Sequence, residues 1–137
     1  MVKVLHDDGY EENSFFVYDK NFRGGVKITT AHLNYGASGN RDKIVVSPAS
    51  SGGPHIRIFN SVGNLEGQFF AYDKNFRGGV NISASDLNKD GIDELVFGIL
   101  NGGSSHVKIF SSNFELINSF FAFDQSYQGG VNVFTNK

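Results

Sequence analysis

Apolar and polar residues alternate with period two in short bursts along this chain, and no stretch carries helical periodicity. The clearest burst is GVNISA at Gly79–Ala84. It is followed by the apolar run ELVFG at Glu94–Gly98, by HVKIF at His106–Phe110 and by NSFFAFD at Asn118–Asp124. Turn-forming clusters separate the four, at Asn88–Gly91, Asn101–Ser105 and Ser111–Asn113. An earlier set reads the same way, predicting strands at Gly25–Thr30, Lys43–Ser47, His55–Phe59 and Gln68–Asp73. In the fourth strand Phe120 and Ala122 project to one side while Phe121 and Phe123 project to the other, so both faces need cover. By this register Phe16, Phe70 and Phe121 are expected at equivalent buried positions between neighbouring sheets.

The bursts recur because the sequence repeats. Phe15-Phe16-Val17-Tyr18-Asp19 returns 54 residues later as Phe69-Phe70-Ala71-Tyr72-Asp73, and 51 residues after that as Phe120-Phe121-Ala122-Phe123-Asp124. DKNFRGGV stands at Asp19–Val26 and again at Asp73–Val80; the third copy reads DQSYQGGV. A period near fifty residues marks an array of one supersecondary unit, in which each unit needs a neighbour to bury its apolar face. Four short strands per repeat predict an all-β, β-propeller-type array of four-stranded antiparallel blades. An antiparallel sandwich fits the strand content alone, but gives no reason for strands to recur in sets of four.

The phasing divides the 137 residues into a partial blade at 1–23, whole blades at 24–77 and 78–128, and a lone first strand at 129–137. Val2–Leu5 and Phe15–Asp19 align with third and fourth strands, and Gly130–Phe134 with a first strand, Lys137 falling opposite Asp86. Propellers close with about four to eight blades, so two whole and two partial blades predict pairing with other copies or with the rest of a longer parent chain. Head-to-tail contact between such ends gives a ring or a filament.

Composition narrows the function. A formal net charge of −2 offers no electrostatic case for nucleic acid or an anionic membrane. With no cysteine there is neither a disulfide framework nor a thiolate metal site. No apolar run reaches membrane-spanning length, and MVKVLHDDGY lacks the long apolar stretch of a signal peptide, so the chain reads as cytoplasmic, or as a mature or excised segment. No nucleophile–base pair or phosphate-binding loop stands out, so a non-enzymatic role is expected.

One segment carries metal chemistry. Asp86-Leu87-Asn88-Lys89-Asp90-Gly91-Ile92-Asp93-Glu94 sets oxygen side chains at its positions 1, 3, 5 and 9, with glycine at 6. Calcium is a hard cation that takes six to eight oxygens, and such spacing around a tight turn delivers them, the Ile92 carbonyl included. An EF-hand is excluded, since position 12 is Phe97 and no helices flank the loop. An Asx-rich hairpin turn is the plainer alternative.

DLNKDGIDELVFG, with GGVNI before it and HVKIF and FFAFD after it, resembles the FG-GAP/VCBS-type repeats of integrin α-subunit propellers and of many bacterial secreted or surface proteins. The resemblance covers nearly the whole chain. It implies one structural calcium held by Asp86, Asn88, Asp90, Glu94 and the Ile92 carbonyl, with Asp93 as the alternative to Glu94. It also implies an extracellular or cell-surface setting and recognition of protein or carbohydrate at blade-edge loops. A structural subunit assembling through incomplete blades is the alternative, and part of a polysaccharide-degrading enzyme a remote one. The first unit's equivalent loop, His32–Lys43, is three residues longer and carries His32 and Lys43 where the second has Asp86 and Glu94. It is expected to bind no calcium, with the Lys43 ammonium taking the cation's place. His55 and His106 read as strand-start residues that pack and hydrogen-bond a loop carbonyl, or as pocket residues. Lys20, Arg23, Lys74 and Arg77 read as a solvated turn, or as a cationic rim for acidic glycans.

Overall fold

The turn clusters reverse the chain, and ten strands result in the computed structural model, which describes residues 1–135. β1 (Val2–Leu5) and β2 (Glu11–Phe15) form an antiparallel hairpin. β3 (Val26–Asn34), β4 (Asn40–Pro48), β5 (His55–Phe59) and β6 (Leu65–Phe70) run in sequence order across a four-stranded antiparallel sheet. β7 (Val80–Ser85), β8 (Glu94–Ile99), β9 (His106–Phe110) and β10 (Leu116–Phe121) repeat that order in a second one. Among the described residues the fold is all-β, with no closed barrel. Among the described residues no helix is long and apolar enough to cross a membrane.

The third strands fall where the alternation predicts them, but the fourth strands run earlier than expected and stop at Phe15, Phe70 and Phe121. The cause is the aspartate three or four residues on. Asp19, Asp73 and Asp124 each accept, through Oδ1, the N–H two residues later at 2.8, 2.8 and 2.9 Å. These Asx turns peel the chain off the sheet. The segment expected as a further first strand, Gly130–Phe134, packs on the last sheet without forming a strand; its Val131 N–H donates to the Ile99 carbonyl at 2.7 Å. The last two residues of the expected 129–137 segment, Asn136 and Lys137, lie outside the described residues.

The sheets stack in chain order through one repeated contact. Between the hairpin and the first sheet the apolar layer contains Val2, Phe15, Val17, Tyr18, Val26, Ile44, Val46 and Phe59. Their repeat equivalents, Ile56, Phe69, Ala71, Tyr72, Val80, Leu95, Phe97 and Phe110, all lie in the layer between the two four-stranded sheets. A third, smaller layer sets Val131 and Val133 against Val96, Val107 and Ile109 on the far face of the last sheet. The first of each Phe pair, not the second, therefore faces the stack. Phe16, Phe70 and Phe121 are 57%, 51% and 41% exposed, which overturns their expected burial. Phe69 instead packs on Phe97, Phe110 and Phe114, with ring centroids 5.8, 5.1 and 4.7 Å apart.

Successive four-stranded sheets come closest at their first strands, where β7 runs beside β3 and the end of β4. The Gly-Gly of each repeat makes that approach possible. Gly79, at φ +84°, lies so near the Ala49 carbonyl that a Cβ would stand 2.0 Å from its oxygen, and Gly130, at φ +89°, repeats this against Leu100 at 1.8 Å. Only glycine combines that φ with that clearance.

Candidate functional site

The 86–94 loop joins β7 to β8, with its chain reversal set by Lys89 at φ 65° and Gly91 at φ 90°. Its carboxylates fold inward onto their own backbone. Asp86 accepts the Asp90 N–H at 3.0 Å and the Gly91 N–H at 2.8 Å. Asn88 Oδ1 accepts the Asp90 N–H at 3.0 Å, and Asp90 Oδ1 accepts the Ile92 N–H at 2.8 Å. Glu94, the buried member, accepts from Leu87 N–H at 2.8 Å and Asn88 Nδ2 at 3.2 Å. Burial pushes the Glu94 carboxyl above its ordinary range; the two donors oppose that, and the charges of Asp90 and Asp86 add to it. Asp93 turns away from the loop. Its Oδ2 accepts the His32 N–H at 2.8 Å, and its own N–H donates to the His32 carbonyl at 2.9 Å, tying the second sheet to the first. Glu94 rather than Asp93 thus faces the other oxygen donors. Among the described residues, no three His, Cys, Asp or Glu side chains gather closely enough to grip a metal.

The equivalent loop of the first unit is closed by a cation of its own. Lys43 is fully buried, and its Nζ donates to Ser38 Oγ and, at 2.9 Å, to the Gly39 carbonyl. It pairs with Glu66 Oε2 at 2.9 Å, and Glu66 also accepts the Ser38 N–H and hydroxyl at 2.9 and 2.8 Å. Burial works against the Glu66 charge, but Lys43 and Ser38 outweigh it and hold the carboxyl below its usual range. Glu66 was not legible as a partner, because its repeat equivalent is Ile117. His32, at the loop's start, pairs with Asp42 through Nδ1 at 2.8 Å.

The other recurrent side chains hold the stack together. Tyr18 donates to the carbonyls of His55 at 2.5 Å and Val46 at 3.3 Å; Tyr72 donates to the equivalent carbonyls of His106 at 2.7 Å and Phe97 at 3.1 Å. Each tyrosine therefore locks its unit to the next, and burial pushes both hydroxyls well above the usual tyrosine range. The signal for this role was the recurrence of Tyr in FF-x-Y-D, which the strand reading absorbed as apolar. His55 and His106 stack on Phe70 and Phe121, with ring centroids 5.0 and 4.8 Å apart. Burial lowers both imidazoles. Their backbone carbonyls accept from the tyrosine hydroxyls, and their rings lie against the tyrosine rings, with centroids 6.3 and 5.8 Å apart. Arg23 and Arg77 turn their guanidinium groups back onto the carbonyls of Lys20 and Phe22 and of Lys74 and Phe76. They staple the turn, and all four cations, Lys20, Arg23, Lys74 and Arg77, remain exposed.

The geometry joins a carboxylate-lined loop to a stack held by repeated locks. Comparison with protein families, curated proteins and solved structures finds no match for this chain.

Proposed function

We propose that this chain is a β-propeller-type repeat module that works by binding and assembly rather than catalysis, with one structural calcium in the 86–94 loop. The observation that carries the reading is the recurrence of one eight-position apolar contact between successive sheets. A simple sandwich buries one face of each sheet, whereas the first sheet here is covered on both. Closest approach at the first strands suits sheets that fan outward as blades. The exposed blade-edge loops are then the surface for a protein or carbohydrate ligand, in the extracellular or cell-surface setting that the repeat resemblance implies.

Hard oxygen donors support the calcium. Asp86, Asn88, Asp90 and Glu94 already share one hydrogen-bonded loop. An ionised carboxylate has about four acceptor positions, so the backbone N–H bonds leave capacity for a metal. Closure requires the Asp86, Asp90 and Glu94 side chains to rotate toward one point, with the Ile92 carbonyl completing the set. A cation there would relieve the repulsion among Asp86, Asp90 and Glu94. The Lys43 ammonium fills that role in the first unit, so one calcium per chain is the expected stoichiometry.

Thermal melting with calcium and with chelator tests this. Because a ligand bound only by the folded state stabilises it by mass action, the melting temperature rises with calcium and the rise disappears in Asp90→Ala. A melting temperature indifferent to calcium in the parent chain removes the metal from the reading. A second metal in the His32–Lys43 loop overturns the assignment of Lys43.

A further inference from the structure

The two ends of the stack present opposite halves of one contact. On the far face of the last sheet, Phe120 and Phe123 occupy the places of Phe69 and Tyr72, yet are 46% and 58% exposed. Leu87 stands where the fully buried Leu33 stands, and is half exposed. Val131 and Val133 cover Val96, Val107 and Ile109, on the second and third strands of this face, and leave the fourth strand bare. Beside them lies an apolar groove of about 250 Å³, lined by Leu87, Asn88, Glu94, Ile109, Ile117 and Asn118. At the opposite end, Leu5 occupies the place of Phe59 and Phe110, both buried against the preceding unit, but is 55% exposed. One end offers the fourth-strand aromatics without a following sheet. The other offers the third-strand apolar residue without a preceding one.

We infer that a second copy of this chain docks its β1–β2 hairpin, Leu5 foremost, onto the exposed face around Phe120. The inference rests on the stacked-repeat reading above. Its warrant is continuity: the same contact is made twice inside the molecule, with every partner in equivalent register. The contact is head-to-tail, since the two surfaces are different, and it therefore propagates rather than stopping at a symmetric pair. It is also weaker than the internal copies. The second-strand side chains that cover Phe69 have no counterpart in the hairpin, and Phe123 lacks the hydroxyl by which Tyr72 locks its neighbour.

Light scattering over a range of protein concentrations tests the docking, using Leu5→Asp and Phe120→Asp. Both positions are exposed, so neither substitution disturbs the monomer's own core, and unchanged circular dichroism and melting confirm it. For the parent chain the weight-average mass is expected to rise above 15.0 kDa with concentration. Each variant alone stays monomeric. An equimolar mixture of the two forms a dimer and nothing larger, because the intact Phe120 face of one meets the intact Leu5 face of the other. A symmetric contact gives no such rescue, and that result overturns the proposal. So does a parent chain that stays monomeric throughout. If it is monomeric while Phe69→Ala remains strongly destabilising, the docking fails and the stacked repeat stands. If Phe69→Ala has no effect, the repeat reading itself fails.

Discussion

Lys43 and Glu94 hold the same place in their units and carry opposite charges, and each has drawn a different environment around it. Lys43 and Glu66 are 0% and 3% exposed at the side chain, so their attraction works against a large desolvation cost. Removing one partner leaves a buried charge without compensation, which typically costs about 3–5 kcal/mol; replacing both by apolar side chains is often neutral. Lys43→Met is accordingly expected to destabilise strongly in urea unfolding, and Lys43→Met with Glu66→Leu to recover most of that loss. Equal losses in the single and double variants would show the pair to be dispensable. The pH dependence has a definite sign. The Glu66 carboxyl titrates lower in the folded chain than in the unfolded one. Its contribution is thus complete above the ordinary glutamate pKa, about 4.3, and fades as pH falls through the lowered folded value. Acid unfolding of Glu66→Gln should lack that component.

The fourth strand shows where alternation along a sequence reaches its limit. Period-two patterning located all four strands of each whole unit, and it placed β5 and β9 at their observed ends, because turn formers bound both: Pro54 and Asn60 on β5, Ser105 and Ser111 on β9. It could not decide which phenylalanine of each pair points into the stack. That depends on which face the next sheet covers, and the order of sheets in space is not written in one strand. Phe69 pairs with Ile56 on the covered face, while Phe70 pairs with His55 on the other. Phe69→Ala is expected to cost about 3–5 kcal/mol, as for a buried aromatic, and Phe70→Ala about 1 kcal/mol or less. Denaturant midpoints of the two variants decide between them, and equal losses would contradict the stacking order. The turn of the second unit's loop was legible from its Asn-Lys-Asp-Gly cluster between two apolar strands. The role of Glu66 was not, since its contact with Lys43 crosses 23 residues and has no repeat equivalent to reveal it.

A stack in which each layer touches only its neighbours distributes stability unevenly. β8 is buried along its whole length, covered by the first sheet on one side and by Val131 and Val133 on the other. β10 is exposed along its whole length, and the β1–β2 hairpin rests on the first sheet by one face only. Local opening costs least where few apolar contacts must be broken, so free energies of opening should fall from the centre of the stack toward both ends. Native-state hydrogen exchange is expected to find the β7 and β8 amides slowest, at or near the global unfolding energy. The β1–β2 and β10 amides should exchange through smaller openings. Tyr72→Phe sharpens the test, because it removes the lock on the Phe97 and His106 carbonyls while leaving the ring in place. The hydroxyl's one proton is shared between the two carbonyls, so its loss weakens the contact by about 1 kcal/mol. That loss should appear at the boundary between the two four-stranded sheets, accelerating exchange in β8 and β9 more than in β1–β2. Uniform acceleration throughout the chain would mean that the sheets unfold as one block, and that the locks act on the whole stack rather than on the neighbours they join.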